Sequence, residues 1–138
     1  METTSSDDIA VPAFCVRLER LDILVAAALI ERARLFLGPD SGLTHVAAAL
    51  GVPTVALYGP TNPVKWGPWP RGHAPDANPW RRCGSQHSGN VILLQGAGAC
   101  VPCHLEGCER HVGSYSDCLQ QLPVRQVIAA AVRLMGTG

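Results

Sequence analysis

Charge is scarce in this chain of 138 residues. Eleven basic and eleven acidic residues cancel, and together they make up only 16% of the sequence. Lysine is nearly absent: Lys65 stands alone beside ten scattered arginines. A protein that tracks a phosphate backbone needs a basic patch, so no nucleic-acid partner is expected. Long apolar runs are also missing. The longest window, Leu21 to Ile30, stops at Glu31-Arg32 and falls far short of a membrane span. Asp7 and Asp8 stand where a secretory signal would carry basic residues, so none is expected. A soluble, cytoplasmic chain of about one domain follows, with enough hydrophobic residues (47%) for a core.

The most informative stretch runs from Leu35 to Gly59. Leu35-Phe36-Leu37 is a short apolar run of strand type, closed by Pro39, which lacks the N–H needed to extend a ladder. Asp40 and Ser41 are helix-capping residue types. A helix is predicted from Gly42 to Leu50, with Gly51 as its C′ residue and Pro53 as its stop. Thr54 to Tyr58 reads as a buried strand. Strand, helix and strand joined this tightly make a parallel βαβ unit, and hence an α/β fold.

Such a unit carries an anion site. The first amides of a helix have no intrahelical partner and lie at the positive end of its dipole. Phosphate can therefore rest on the amides of Ser41, Gly42 and Leu43, with no Cβ on Gly42 to block its approach. Asp40 would repel phosphate but suits hydroxyls, and the two together suggest a nucleotide sugar. From the turn alone, simple helix capping by Asp40 or Ser41 is an equal reading.

Elsewhere the pattern is plainer. Met1–Asp8 is expected to be disordered, and Ile9–Val16 to be a strand remnant at most. Leu21, Leu24, Val25, Ala28 and Leu29 follow helical spacing, predicting a helix to about Ala33 that packs on the sheet. Gly59 to Asn90 holds five glycines, six prolines and all three tryptophans, and reads as one long ordered loop. Within it, Thr61 either donates to a phosphate or ribose or caps a rigid proline turn. Val91–Leu94 is the next strand. Pro123–Met135 is a final helix with a stripe of Val124, Val127, Ile128, Ala131 and Leu134. Between them Cys100, Cys103, Cys108 and Cys118 are spaced C-x2-C-x4-C-x9-C. Reduced loop thiols, a structural zinc or bridge, and redox use all remain open for them. The second half lacks a compact C-x2-C, which weakens the zinc reading.

The run Gly38-Pro39-Asp40-Ser41-Gly42-Leu43-Thr44-His45, continued through Ala47-Ala48-Ala49-Leu50-Gly51-Val52-Pro53 to Gly59-Pro60-Thr61-Asn62-Pro63, closely resembles glycosyltransferase family nine, the ADP-heptose:lipopolysaccharide heptosyltransferases. Trp66-Gly67-Pro68, the four late cysteines and the terminal helix are similar to that family too. The resemblance covers roughly Leu21 to Met135. It implies the carboxyl-terminal, donor-binding half of a GT-B fold: an incomplete Rossmann-like parallel sheet over residues 21–138, with a tail or strand remnant over 1–20. It implies Asp40 on donor sugar hydroxyls and Ser41 and Gly42 amides on the pyrophosphate. Leu43 and Thr44 would line the pocket, with His45 near the sugar–phosphate end. The implied reaction is inverting heptose transfer from ADP-heptose to a lipopolysaccharide inner-core acceptor. No cofactor and no metal are implied. The enzyme would be cytoplasmic, at most peripheral to the inner membrane. No catalytic residue is expected here, because the general base belongs to an amino-terminal domain that this chain does not contain. A truncated sheet should also leave an exposed edge. Two other readings compete: a nucleotide-sugar 2-epimerase of the same architecture, and a non-enzymatic zinc or interaction module on the cysteines.

Overall fold

The computed structural model describes residues 10–136. The expectation of disorder over Met1–Asp8 lies outside the described residues. The elements are α1 (Ile23–Glu31), β1 (Phe36–Pro39), α2 (Gly42–Leu50), β2 (Thr54–Tyr58), α3 (Pro63–Trp66), β3 (Gln86–Ser88), β4 (Val91–Gln95), α4 (Asp117–Gln120) and α5 (Val124–Gly136). The strands form one sheet in the order β1-β2-β4-β3. β1, β2 and β4 are parallel, with Pro39 opposite Leu57 and Tyr58 opposite Gln95. β3 runs antiparallel to β4. This is an α/β fold with a mostly parallel open sheet and helices on both faces.

Alternation along the strands sorts the core into two layers. Ala56, Tyr58, Val91 and Leu93 pack with Ala48 of α2 and with Trp80 on one face. Val55, Ile92 and Leu94 pack under Ala130 and Leu134 of α5 on the other. Both faces are covered, which is why β2 and β4 read as continuous apolar runs. α2 ends at Gly51, whose φ of 83° is the left-handed conformation that its missing Cβ permits.

Three expectations need correction. α1 is capped by Asp22, whose carboxylate accepts from the Leu24 amide at 2.8 Å. It packs chiefly on α2, through Ile30 with Ala47 and Val52, with Phe36 of β1 against the same cluster, and leaves Leu24 76% exposed. Its sequence is apolar all round, so spacing alone could not choose the buried face. In α5 the buried face is Val127, Ala130, Ala131 and Leu134, while Val124 and Ile128 are exposed. No strand forms over residues 10–16.

The long loop is also more structured than its composition predicts. α3 begins at Asn62, which accepts from the Val64 amide at 3.0 Å, so Asn62 and not Thr61 caps this turn. Trp80 is buried, and its indole N–H donates to the Pro68 carbonyl at 3.0 Å. Asn90 donates to the carbonyls of Ala48 and Val52, locking the β3–β4 turn to the end of α2. β1 stands at one edge of the sheet, with Leu37 half exposed.

Candidate functional site

Three parallel strands send their carboxyl ends to the same end of the sheet. Asp40-Ser41 follows β1, Gly59-Pro60-Thr61 follows β2, and Gly96-Ala97-Gly98 follows β4. Ligands of open α/β sheets bind at this end.

The turn between β1 and α2 is held from within. Thr44 is completely buried, and its hydroxyl donates to the Pro39 carbonyl at 2.6 Å. It also lies 3.3 Å from the Ser41 hydroxyl. A Cβ on Gly38 would stand 2.7 Å from the Thr44 hydroxyl, so a glycine is required for this packing. Thr44 is thus a strut under the turn, with its hydroxyl committed inside the protein. Thr44→Val leaves the Pro39 carbonyl without this donor and should cost about 1–3 kcal/mol, read as a lower denaturation midpoint in urea.

Ser41 is the N-cap of α2 in extended conformation, and its hydroxyl makes no capping bond. Its carbonyl accepts from the amides of Thr44 and His45, at 3.1 and 3.4 Å. The amides of Gly42 and Leu43 have no partner among the described residues. Both residues are exposed, and a Cβ on Gly42 would meet nothing within 4 Å. The donors of this helix therefore face open space. His45 lies one turn along the helix and is half-buried.

Asp40 is exposed at the mouth of the turn, near enough to Tyr58 at the end of β2 for its charge to act on that hydroxyl. The Tyr58 hydroxyl donates to the Trp66 carbonyl at 2.7 Å, which draws the end of α3 to the site. Burial, then the Asp40 charge, pushes the Tyr58 hydroxyl well above the ordinary tyrosine value of 10.0. The sign follows from linkage: the neutral hydroxyl is favoured only in the folded state, so its stabilisation is intact below pH 10 and fades as pH rises beyond it. The fall should approach about 1.4 kcal/mol per pH unit. Urea denaturation at pH 9 and pH 11 measures it, and Tyr58→Phe should flatten that slope.

Thr61 is half-buried, and its carbonyl accepts from the Gln95 side chain at 2.8 Å. The same amide donates to the Gly59 carbonyl at 3.0 Å, and its oxygen accepts from the Gly84 amide at 2.8 Å. Gln95 is buried and ties the β2 turn to the end of β4. Tyr58 escapes sequence reasoning because it ends an apolar strand and reads as part of it; Gln95 escapes because it lies just past the run Val91–Leu94, where a lone polar residue carries no signal. A cavity of about 530 Å³ lies beyond β4, between Gly84, Gln95–Gly98 and Gln126. An apolar groove of about 420 Å³ lies between β1 and α5, lined by Leu37, Leu57 and Val124. Asp40, Ser41, Gly42 and Leu43 line neither; they form an open, one-sided surface.

The same stretch of chain is similar to known proteins. Residues 11–74 match the profile of glycosyltransferase family 9 (heptosyltransferase). The chain is 48% identical over 42 residues to lipopolysaccharide heptosyltransferase 3 of Escherichia coli, covering 30% of this chain and 12% of that protein. It is 50% identical over 46 residues to lipopolysaccharide heptosyltransferase 1 of Pseudomonas aeruginosa, covering 33% and 13%. It is 45% identical over 51 residues to lipooligosaccharide heptosyltransferase 2 of Haemophilus influenzae, covering 36% and 15%. The chain thus spans a small part of the length of the curated relatives it matches. No solved structure matches. Residues 11–74, which include the β1–α2–β2 unit, are thus similar to the heptosyltransferases of glycosyltransferase family 9.

Proposed function

We propose that the start of α2 and Asp40 form the donor half-site of an inverting glycosyltransferase. The single observation that carries this reading is the pair of unpartnered, solvent-facing amides at Gly42 and Leu43 beside an exposed carboxylate. The diphosphate of the donor rests on those amides and on that of Ser41. Asp40 accepts from sugar hydroxyls, which a carboxylate does well and a phosphate site does not otherwise need. Leu43 lines the pocket, and His45, on the same turn, stands at the sugar–phosphate end. Thr61, on the turn after β2, donates to a phosphate or ribose. Thr44 acts beneath, by fixing the angle at which the helix start meets the strand.

The chemistry asked of this half is charge stabilisation. As an acceptor hydroxyl attacks the anomeric carbon, negative charge grows on the departing nucleoside diphosphate. Fixed helix-terminus donors stabilise that charge without having to reorient. The donor is ADP-heptose and the acceptor a lipopolysaccharide inner-core sugar, by relation to the heptosyltransferases. The base that deprotonates the acceptor lies on an opposing amino-terminal domain, which closes the open side of the site. The protein works in the cytoplasm.

The sugar grip separates the roles. Asp40→Ala should weaken ADP-heptose binding roughly 10-fold, about 1.4 kcal/mol, while leaving ADP binding unchanged. Titration calorimetry with both ligands decides it. Equal loss for both, or for neither, would remove Asp40 from the sugar.

A further inference from the structure

The four late cysteines are not used by the donor half-site, yet they converge. Cys100, Cys103, Cys108 and Cys118 line one cavity of about 190 Å³, whose wall also includes Pro60. All four are free thiols. Cys118 is buried on α4, with its sulfur packed against the β2 turn: a Cβ on Gly59 would stand 3.3 Å from it. Cys103 is half-buried on the facing loop. That loop is pinned to the same turn, since the His104 amide donates to the Pro60 carbonyl at 3.0 Å. Cys108 sits at the rim, where its sulfur accepts from the Asp117 amide at 3.3 Å. Burial first, and then the neighbouring Cys103, Cys108 and Cys100 thiols, push the Cys118 thiol upward against a backbone hydrogen bond from Leu119. Among the thiols, Cys103 acts on it most strongly. Among the described residues, no group of three His, Cys, Asp or Glu side chains is arranged to hold a metal ion. Pairwise thiol chemistry is what the arrangement allows.

We propose that this pocket is an oxidation site, in which a hydroperoxide joins Cys103 to Cys118 as an intrachain disulfide. The Cys103 thiolate attacks a peroxide oxygen, the O–O bond breaks, and the departing oxygen leaves as water or alcohol, taking a proton. Cys103 is then a sulfenic acid. The Cys118 sulfur attacks it, the S–O bond breaks, and the hydroxyl leaves as water with the Cys118 proton. The two thiols lose two electrons and the peroxide gains them. Cys118 packs on Gly59, and His104, next to Cys103, is bonded to Pro60, so the bridge stiffens the β2 side of the candidate site.

The experiment treats the whole chain with a small excess of hydrogen peroxide, alkylates the remaining thiols and maps the peptides by mass spectrometry. The expected result is one Cys103–Cys118 linked pair, lighter by two hydrogens, that dithiothreitol releases. The exposed, isolated Cys15 and Cys83 should remain alkylated, as internal controls. Cys103→Ser should abolish the link and Cys15→Ser should keep it, so the outcome does not depend on a variant at the buried Cys118. A different pairing, a bridge between chains, unbridged sulfinic acid at Cys103, or stoichiometric zinc protecting the four thiols would each overturn the proposal.

Discussion

Gly42→Glu should leave the fold as stable as before, or slightly more stable, while weakening nucleoside diphosphate binding roughly 10- to 100-fold. The two effects have opposite signs for physical reasons. A Cβ at Gly42 meets nothing within 4 Å, so the side chain costs no packing. Removing a glycine from the first turn reduces the entropy lost on folding. A carboxylate there also complements the helix dipole, worth about 0.3–1 kcal/mol. The same charge occupies the space proposed for the diphosphate. Repulsion at a few ångströms near a protein surface is on the order of 2 kcal/mol, enough for the expected loss. Gly42→Ala separates shape from charge and should give the smaller loss. A thermal melt and an ADP titration on each variant check both signs. If Gly42→Glu bound ADP as well as the unaltered protein, the diphosphate would have to sit elsewhere.

Gly96→Ala should produce the largest loss of stability in the molecule. Gly96 lies where the end of β4 passes the backbone of α4. A Cβ there would stand 1.7 Å from the Cys118 carbonyl oxygen and 2.2 Å from its carbon. Those atoms are backbone, so relief requires moving α4 away from the sheet. The Gly96 amide meanwhile donates to the Tyr58 carbonyl at 3.0 Å, which holds it in place. Overpacking of this severity should cost about 3 kcal/mol or more. For a chain of this length, that lowers Tm on the order of 10 °C. Differential scanning calorimetry measures it, with Gly42→Ala as the matched substitution in open space. A change within about 1 kcal/mol would mean that α4 gives way easily, and that the Cys118 wall of the thiol pocket is loosely held.

The βαβ unit could be read from the sequence because each of its signals is local. Pro39, Ser41, Gly51 and Pro53 punctuate it, and two apolar strands flank a small-residue helix. The expectation of an anion site at its helix start follows from helix geometry alone. What could not be read was non-local. β3 is three polar residues, Gln86-His87-Ser88, paired at an edge where no apolar pattern is needed. The order within the long loop rests on single bonds across many residues, such as the Gln95 side chain on Gly59 and Thr61. The direction α1 faces was hidden by a sequence with no polar side between Ile23 and Ile30. Thr44 reads from sequence as part of a pocket. In the fold its hydroxyl is spent on the Pro39 carbonyl. Helix α1, edge strand β1 and the groove beside α5 share a surplus of exposed apolar side chains, including Leu24, Leu37 and Val124. A surface of this kind suits burial against more protein.

The most direct test is a two-dimensional amide NMR titration of the isotope-labelled chain with ADP. The largest shifts should fall on the amides of Gly42 and Leu43, with smaller ones at Ser41 and His45, and the same peaks should stay still in Gly42→Glu. Shifts confined to Gly84 and Gly96–Gly98, around the cavity beyond β4, or none up to millimolar ADP, would contradict a diphosphate held at the start of α2.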